Sequence, residues 1–273
     1  MGATWKSWGF LAAAAAALAV IAGASAVFTS SAAPQAPAIR SAYERPTSTP
    51  FPAGNPYSEA KAELGRLLFF DPRVSGAENM SCATCHNPGL GWTDGLPKAI
   101  GAGARKLERH SPTILNLAWG EPLMWDGRSA DLEEQAGGPI AAMAEMNQSW
   151  PALEAKLVTI PGYRRLFDAA FPGEGINQRT IAKAIATFER TVVSAEAPFD
   201  RWIAGDETAI SQSAERGFAL FNGKGHCAAC HSGWRFTDDS FHDIGLADAD
   251  IGRGKLRPQL PLMQHAFKTP GLR

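Results

Sequence analysis

Two stretches, Cys82-Ala83-Thr84-Cys85-His86 and Cys227-Ala228-Ala229-Cys230-His231, together contain all four cysteines of this 273-residue chain. Two thiols three positions apart can each add to a vinyl group of one porphyrin. The imidazole that follows then sits under the iron as its proximal ligand. A zinc site and a pair of disulfides are the competing readings, because CxxC pairs also hold zinc and exported proteins oxidise their thiols. Neither accounts for a histidine directly after each pair. The residues therefore favour two covalent c-type haems, attached at Cys82 and Cys85 with His86 on iron, and at Cys227 and Cys230 with His231 on iron.

The surroundings of the two motifs echo one another. Gly65-Arg66-Leu67-Leu68-Phe69 precedes the first much as Gly217-Phe218-Ala219-Leu220-Phe221 precedes the second, and Trp92-Thr93-Asp94 answers Phe236-Thr237-Asp238 downstream. Such a repeat predicts two haem modules, each opening with a helix that runs into the attachment turn. Residues 57–205 and 206–273 are the expected extents. Between the motifs, Ile181, Ala184, Ile185, Phe188 and Val192 fall on one face at helical spacing, with Asn177 as N-cap and Glu189 and Arg190 turned outward. A second helix is expected through Leu153 and Leu157, past Pro161, to Phe167. No stretch shows strand alternation, so the expected class is mainly α, with long loops rich in Gly and Pro.

Residues 1–26 read as an export signal: Lys6 in a short basic start, an apolar run to Ile21, and Ala24-Ser25-Ala26 as a cleavage site. The expected location is outside the cytoplasm. An uncleaved N-terminal membrane anchor is the alternative, since the stretch from Trp8 to Phe28 is about long enough to span a bilayer. Residues 27–56, rich in Ala, Pro and Ser, read as a tether. What remains, about 220 residues, suffices for two small modules. The net charge of −1 offers no electrostatic footprint for a nucleic acid.

The chain resembles the bacterial periplasmic dihaem cytochrome c peroxidases, the superfamily that includes the MauG-type enzymes. The residues that carry the resemblance are Glu63-Leu64-Gly65-Arg66-Leu67-Leu68-Phe69-Phe70-Asp71, Ser111-Pro112-Thr113-Ile114-Leu115-Asn116, Trp125-Asp126-Gly127-Arg128, Leu132-Glu133-Glu134-Gln135-Ala136, Phe188-Glu189-Arg190, and Phe267-Lys268-Thr269-Pro270, with both haem motifs. The resemblance implies an enzyme that reduces hydrogen peroxide to water, fed by a small cytochrome c or a cupredoxin. Its alternatives are a MauG-like oxidase that modifies tryptophan in a partner protein, and a dihaem electron-transfer protein without turnover. It also implies roles: Glu145 as acid and base, Gln135 orienting peroxide, Trp125 bridging the two porphyrins, and Asn116 binding calcium together with carbonyls near Lys268 to Pro270. A homodimer is a further implication. His110 lies where such enzymes carry a switching histidine, though a hydrogen-bonded loop histidine is the simpler reading. The family draws the sixth ligand of its second haem from beyond the Thr-Pro stretch, so a chain stopping at Arg273 is expected to be a fragment.

Overall fold

The computed structural model describes residues 36–246 and 248–273. The expected export signal and residues 27–35 of the expected tether lie outside this range. The helices are α1 (Ala36–Ser41), α2 (Glu59–Phe70), α3 (Cys82–Cys85), α4 (Leu132–Ala141), α5 (Trp150–Thr159), α6 (Pro161–Ala170), α7 (Gln178–Thr191), α8 (Pro198–Ile203) and α9 (Gln212–Asn222). The strands are two antiparallel pairs of two residues each: β1 (Ile100–Gly101) with β2 (Arg105–Lys106), and β3 (Phe241–His242) with β4 (Phe267–Lys268). The mainly α class expected from the sequence is what forms. Among the described residues, no helix is long and apolar enough to cross a membrane.

The core is built on the crossing of α2 and α7. The Ser58 hydroxyl caps α2 by accepting from the Lys61 N–H at 3.2 Å, and Leu64, Leu68 and Phe69 are then completely buried. Gly65 sits at the crossing: a Cβ there would lie 1.9 Å from the Ala184 carbonyl oxygen, so only glycine lets the two backbones approach. On α7, Asn177 and Thr180 exchange the reciprocal bonds of a capping box, each at 3.1 Å. Ile181, Ala184 and Ile185 are fully buried below it.

Three expectations need correction. Glu189 and Arg190 do not face solvent; they are 4% and 2% exposed. The reason is that α7 is packed by both α2 and α4, so that every residue from 184 to 190 is buried. The helix expected to run past Pro161 is two helices, broken at Ile160. Proline favours the first turn of a new helix and restricts the residue before it, and Pro161 opens α6.

The tether is the third correction, for its described part. Tyr43 is 2% exposed and packs on Phe199, Phe218 and Phe236 at centroid distances of 6.1, 5.1 and 5.1 Å. Its hydroxyl donates to Asn222 Oδ1 at 2.8 Å, and Arg40 lies 3.8 Å over the Trp202 ring. Asn55, 1% exposed, donates to Glu133, the Lys183 carbonyl and Thr187. Average composition hid these anchors: Arg40 and Tyr43 strap the segment before the first motif onto residues around the second, and Asn55 ties it to α4 and α7.

Candidate haem sites

Each motif histidine is oriented by the same device. His86 Nδ1 lies 3.2 Å from the Trp92 carbonyl oxygen, and His231 Nδ1 lies 3.0 Å from that of Phe236. Both acceptor residues adopt positive φ, 63° and 55°, which turns their carbonyls back toward the ring. A histidine whose Nδ1–H is so engaged presents Nε2 as a neutral ligand. Burial also pushes the His86 imidazole down, which keeps it neutral, against the raising effect of the Trp92 and Pro112 carbonyls. The two halves of the repeat thus match in atomic detail as well as in letters.

The helices before the motifs also correspond, α2 with α9, but their burial differs. Four residues of α2 are buried and none of α9 is. The first site has a cavity of about 590 Å³, lined among others by Cys82, Cys85, His86, Gln135, Glu145 and Glu189. That volume is in the range of cofactor pockets, about 300–1,000 Å³. Two thiols, a ligand imidazole and mostly apolar walls fit a covalent haem. At the second site, Cys230, Asp238 and His242 bring their donor atoms within 4.8 Å of one another, with His242 Nε2 2.7 Å from Asp238 Oδ2. The sulfur there is one that the haem motif uses.

Gln135 and Glu145 meet at the first cavity because α4 ends abruptly and folds back. Asp131 caps α4, accepting from the Glu134 N–H at 2.8 Å. Pro139 inside it cannot donate to the Gln135 carbonyl, which loosens the helix one turn before its end. The chain then returns, with the Met146 N–H donating to Pro139 O at 3.1 Å and the Gln148 N–H to Ile140 O at 2.9 Å. The Glu145 carbonyl accepts from the Ala102 N–H at 2.7 Å. Gly101 lets β1 close on this loop; a Cβ on it would stand 1.9 Å from the Ala144 carbonyl oxygen. Burial pushes the Glu145 carboxyl above the usual carboxylate range, with the Arg128 cation opposing. That is the direction a proton-donating acid needs at neutral pH.

Trp125, 42% exposed, packs against β4. Its ring lies 4.7 Å from that of Phe267 on β4, and its carbonyl accepts from the Lys268 N–H at 2.8 Å. Its neighbours Met124 and Asp126 line the first cavity. Arg109 clamps this seam, donating to Asp126 at 2.7 Å and to Asp250 at 2.7 and 3.0 Å. His110, beside it, is exposed on the rim of the first cavity. Asn116 is 3% exposed, and its side chain bonds Ser194, with Oδ1 accepting from the Ser194 N–H at 3.0 Å. No hydrogen bond joins it to residues 268–270 among the described residues, and the Thr269 carbonyl accepts from the Thr237 hydroxyl at 2.7 Å.

The sequence reading missed Glu189 as a residue of the first site. The signal was there, since Ile181, Ile185 and Glu189 form one i, i+4, i+8 row on α7, the row that the apolar face defines.

Residues 59–208 match the family described as "Di-haem cytochrome c peroxidase". The methylamine utilization protein MauG of Methylorubrum extorquens is 54% identical over 239 residues, covering 86% of this chain and 68% of that protein. The cytochrome c551 peroxidase of Pseudomonas aeruginosa is 40% identical over 195 residues, covering 71% and 56%. A crystal structure of a MauG-like protein associated with microbial copper homeostasis superposes with a TM-score of 0.77 at 31% identity, over 85% of this chain and 75% of that one. With more than half of the chain matched and both haem motifs geometrically intact, the protein belongs to the di-haem cytochrome c peroxidase family.

Proposed function

We propose that the protein is a MauG-like dihaem oxidase of the periplasm, using hydrogen peroxide to oxidise tryptophan in a partner protein. The observation that carries the choice is the 54% identity to MauG of two organisms, against 40% and less for the cytochrome c peroxidases. The peroxide-reducing part of the reading is supported by one cavity shared by His86, Gln135 and Glu145. Peroxidase activity with a small cytochrome or cupredoxin as donor, the leading expectation from sequence, is the second reading and rests on the 40% relatives.

When bound, the haems supply the iron on which peroxide is reduced and a store for the oxidising equivalents. The protein does the rest. The Trp92 carbonyl fixes the tautomer of His86 so that Nε2 is the nitrogen that would bind the iron. Glu145 moves a proton from one peroxide oxygen to the other, which makes the departing oxygen leave as water. The Gln135 amide donates a hydrogen bond that holds peroxide in place for that transfer. Complete reduction takes two electrons and two protons per peroxide and gives two waters; in this reading the electrons come from tryptophan of the partner. Trp125, packed on Phe267 between residues 57–205 and 206–273, is the bridge for charge between the halves. Calcium at Asn116 is supported by its buried carboxamide oxygen, the hard donor type that ion takes; the ion would share or displace the Ser194 hydrogen bonds.

The test is to mix the haem-loaded protein with peroxide in the presence of increasing amounts of a reduced small c-type cytochrome. The oxidised protein should persist, decaying at a rate independent of cytochrome concentration. A decay that accelerates in proportion to cytochrome would overturn the oxidase reading in favour of the peroxidase.

A further inference from the structure

The first cavity holds a buried carboxyl that the peroxide chemistry above does not use. Glu189 is 4% exposed, lines the cavity, and has an Oε2 with no hydrogen-bond partner. The cation next to it does not serve it. Arg190 turns to the other side of α7, where it donates to Glu133 at 2.6 and 2.8 Å and to Glu121 at 3.4 Å.

Of the groups on neighbouring elements, Glu133 on α4 repels the Glu189 charge rather than compensating it. The Glu189 charge is felt by Cys82 on α3, whose sulfur stops titrating once it is a thioether. The buried residues of α2, which packs on α7, are Leu64, Gly65, Leu68 and Phe69, none of which ionises. Farther along the cavity wall, Arg128 acts on Glu145. An unpaired carboxyl in such a place gives up its proton late: burial pushes Glu189 up to about 8, with the Arg190 cation opposing and Glu133 adding, so both its forms are within reach around that pH.

We propose that Glu189 is the redox-linked proton site of the first haem, binding one proton when the iron gains an electron and releasing it when the electron leaves. The balance is ferric iron plus carboxylate plus one electron plus one proton, giving ferrous iron plus carboxylic acid. The electron comes from a one-electron redox protein and the proton from solvent; no ligand bond is made or broken. Reduction would remove one positive charge from the cavity that the carboxyl lines, and so raise its affinity for the proton. The proposal depends on haem filling this cavity and not on which substrate the oxidised protein attacks. A failed oxidase reading therefore leaves it standing.

The experiment is a spectroelectrochemical titration of the first haem in the fully loaded protein across the pH range around 8. The wild-type midpoint should fall with rising pH at up to about 59 mV per tenfold change in proton concentration. Glu189→Gln should abolish the fall, and Glu189→Asp should keep it with a displaced window. Reduced-minus-oxidised infrared spectra of protein with isotope-labelled glutamate should show a carboxylic-acid carbonyl appearing on reduction, a readout that needs no variant to fold. A flat wild-type midpoint, the same slope in Glu189→Gln, or no glutamic-acid signal on reduction would each overturn the assignment.

Discussion

Replacing Glu133 with alanine should destabilise the haem-loaded protein by about 3–5 kcal/mol, the usual cost of stranding one member of a buried ion pair. The geometry sets that scale. The Arg190 side chain is 2% exposed and that of Glu133 20%, and two charged hydrogen bonds, of 2.6 and 2.8 Å, join them. Bonds of this kind contribute roughly 1.5–3 kcal/mol each. After Glu133→Ala, Arg190 keeps only Glu121, at 3.4 Å and itself 43% exposed. Asn55 also loses an acceptor, but retains the Lys183 carbonyl at 2.9 Å and Thr187 at 3.0 Å. At about 2–4 °C per kcal/mol for a chain of this size, the melting temperature should drop by about 6–20 °C. Guanidinium unfolding followed by Soret absorbance and circular dichroism measures the loss. Glu133→Leu combined with Arg190→Met should recover most of it, because an apolar pair of similar volume leaves no orphaned charge. A Glu133→Ala cost below about 1 kcal/mol, the level of a surface pair, or no recovery in the double variant, would refute the claim that this pair pins α4, and with it Gln135, to α7.

Three further outcomes follow from the site and its surroundings. Glu145→Gln should slow the reaction with peroxide by roughly 10²–10⁴-fold, the contribution of a positioned acid and base, while leaving both haems attached; stopped-flow spectroscopy reads the rate. Trp125→Phe should keep the packing on Phe267 but slow charge transfer between the haems, seen as delayed oxidation of the second haem after peroxide addition to the first. Stability should fall on acidification. Asp250 is held well below the usual carboxylate range by the Arg109 guanidinium; burial alone would raise Asp126 and Glu133, but hydrogen bonds from Arg109 and Arg190 outweigh it and hold both low. Carboxyls depressed in the folded state stabilise it above their ordinary pKa of about 4, and that stability is lost as pH drops through the lower folded values. Arg109→Met should therefore flatten the acid limb of a stability curve measured by unfolding at successive pH values.

Much of this protein was legible in one dimension because haem attachment is a local act. A thiol, a second thiol three positions on and an adjacent imidazole need only one turn of chain, so both motifs, their paired helices and the mainly α class follow from spacing. The cap at Asn177 and the apolar row on α7 are local for the same reason. Assigning Gln135 and Glu145 to peroxide chemistry required likeness to a family, since nothing in their own neighbourhoods separates them from surface polar residues. Their meeting at one cavity depends on the foldback after α4, which turn bonds to Pro139 and Ile140 and one bond from Ala102, more than forty residues away, hold in place.

The tertiary structure alone decided the fate of the charged and connecting residues. Whether Glu189 and Arg190 meet water depends on α2 and α4 both packing on α7, contacts between segments more than thirty residues apart. The strap through Tyr43 depends likewise on a pocket of aromatics more than 150 residues downstream. Sequence determined what could bond to haem, through covalent chemistry set by neighbours. The fold determined which carboxyl is buried without a partner, which cation finds one and which loop lines the first cavity, because burial and long-range contacts are properties of the packed chain.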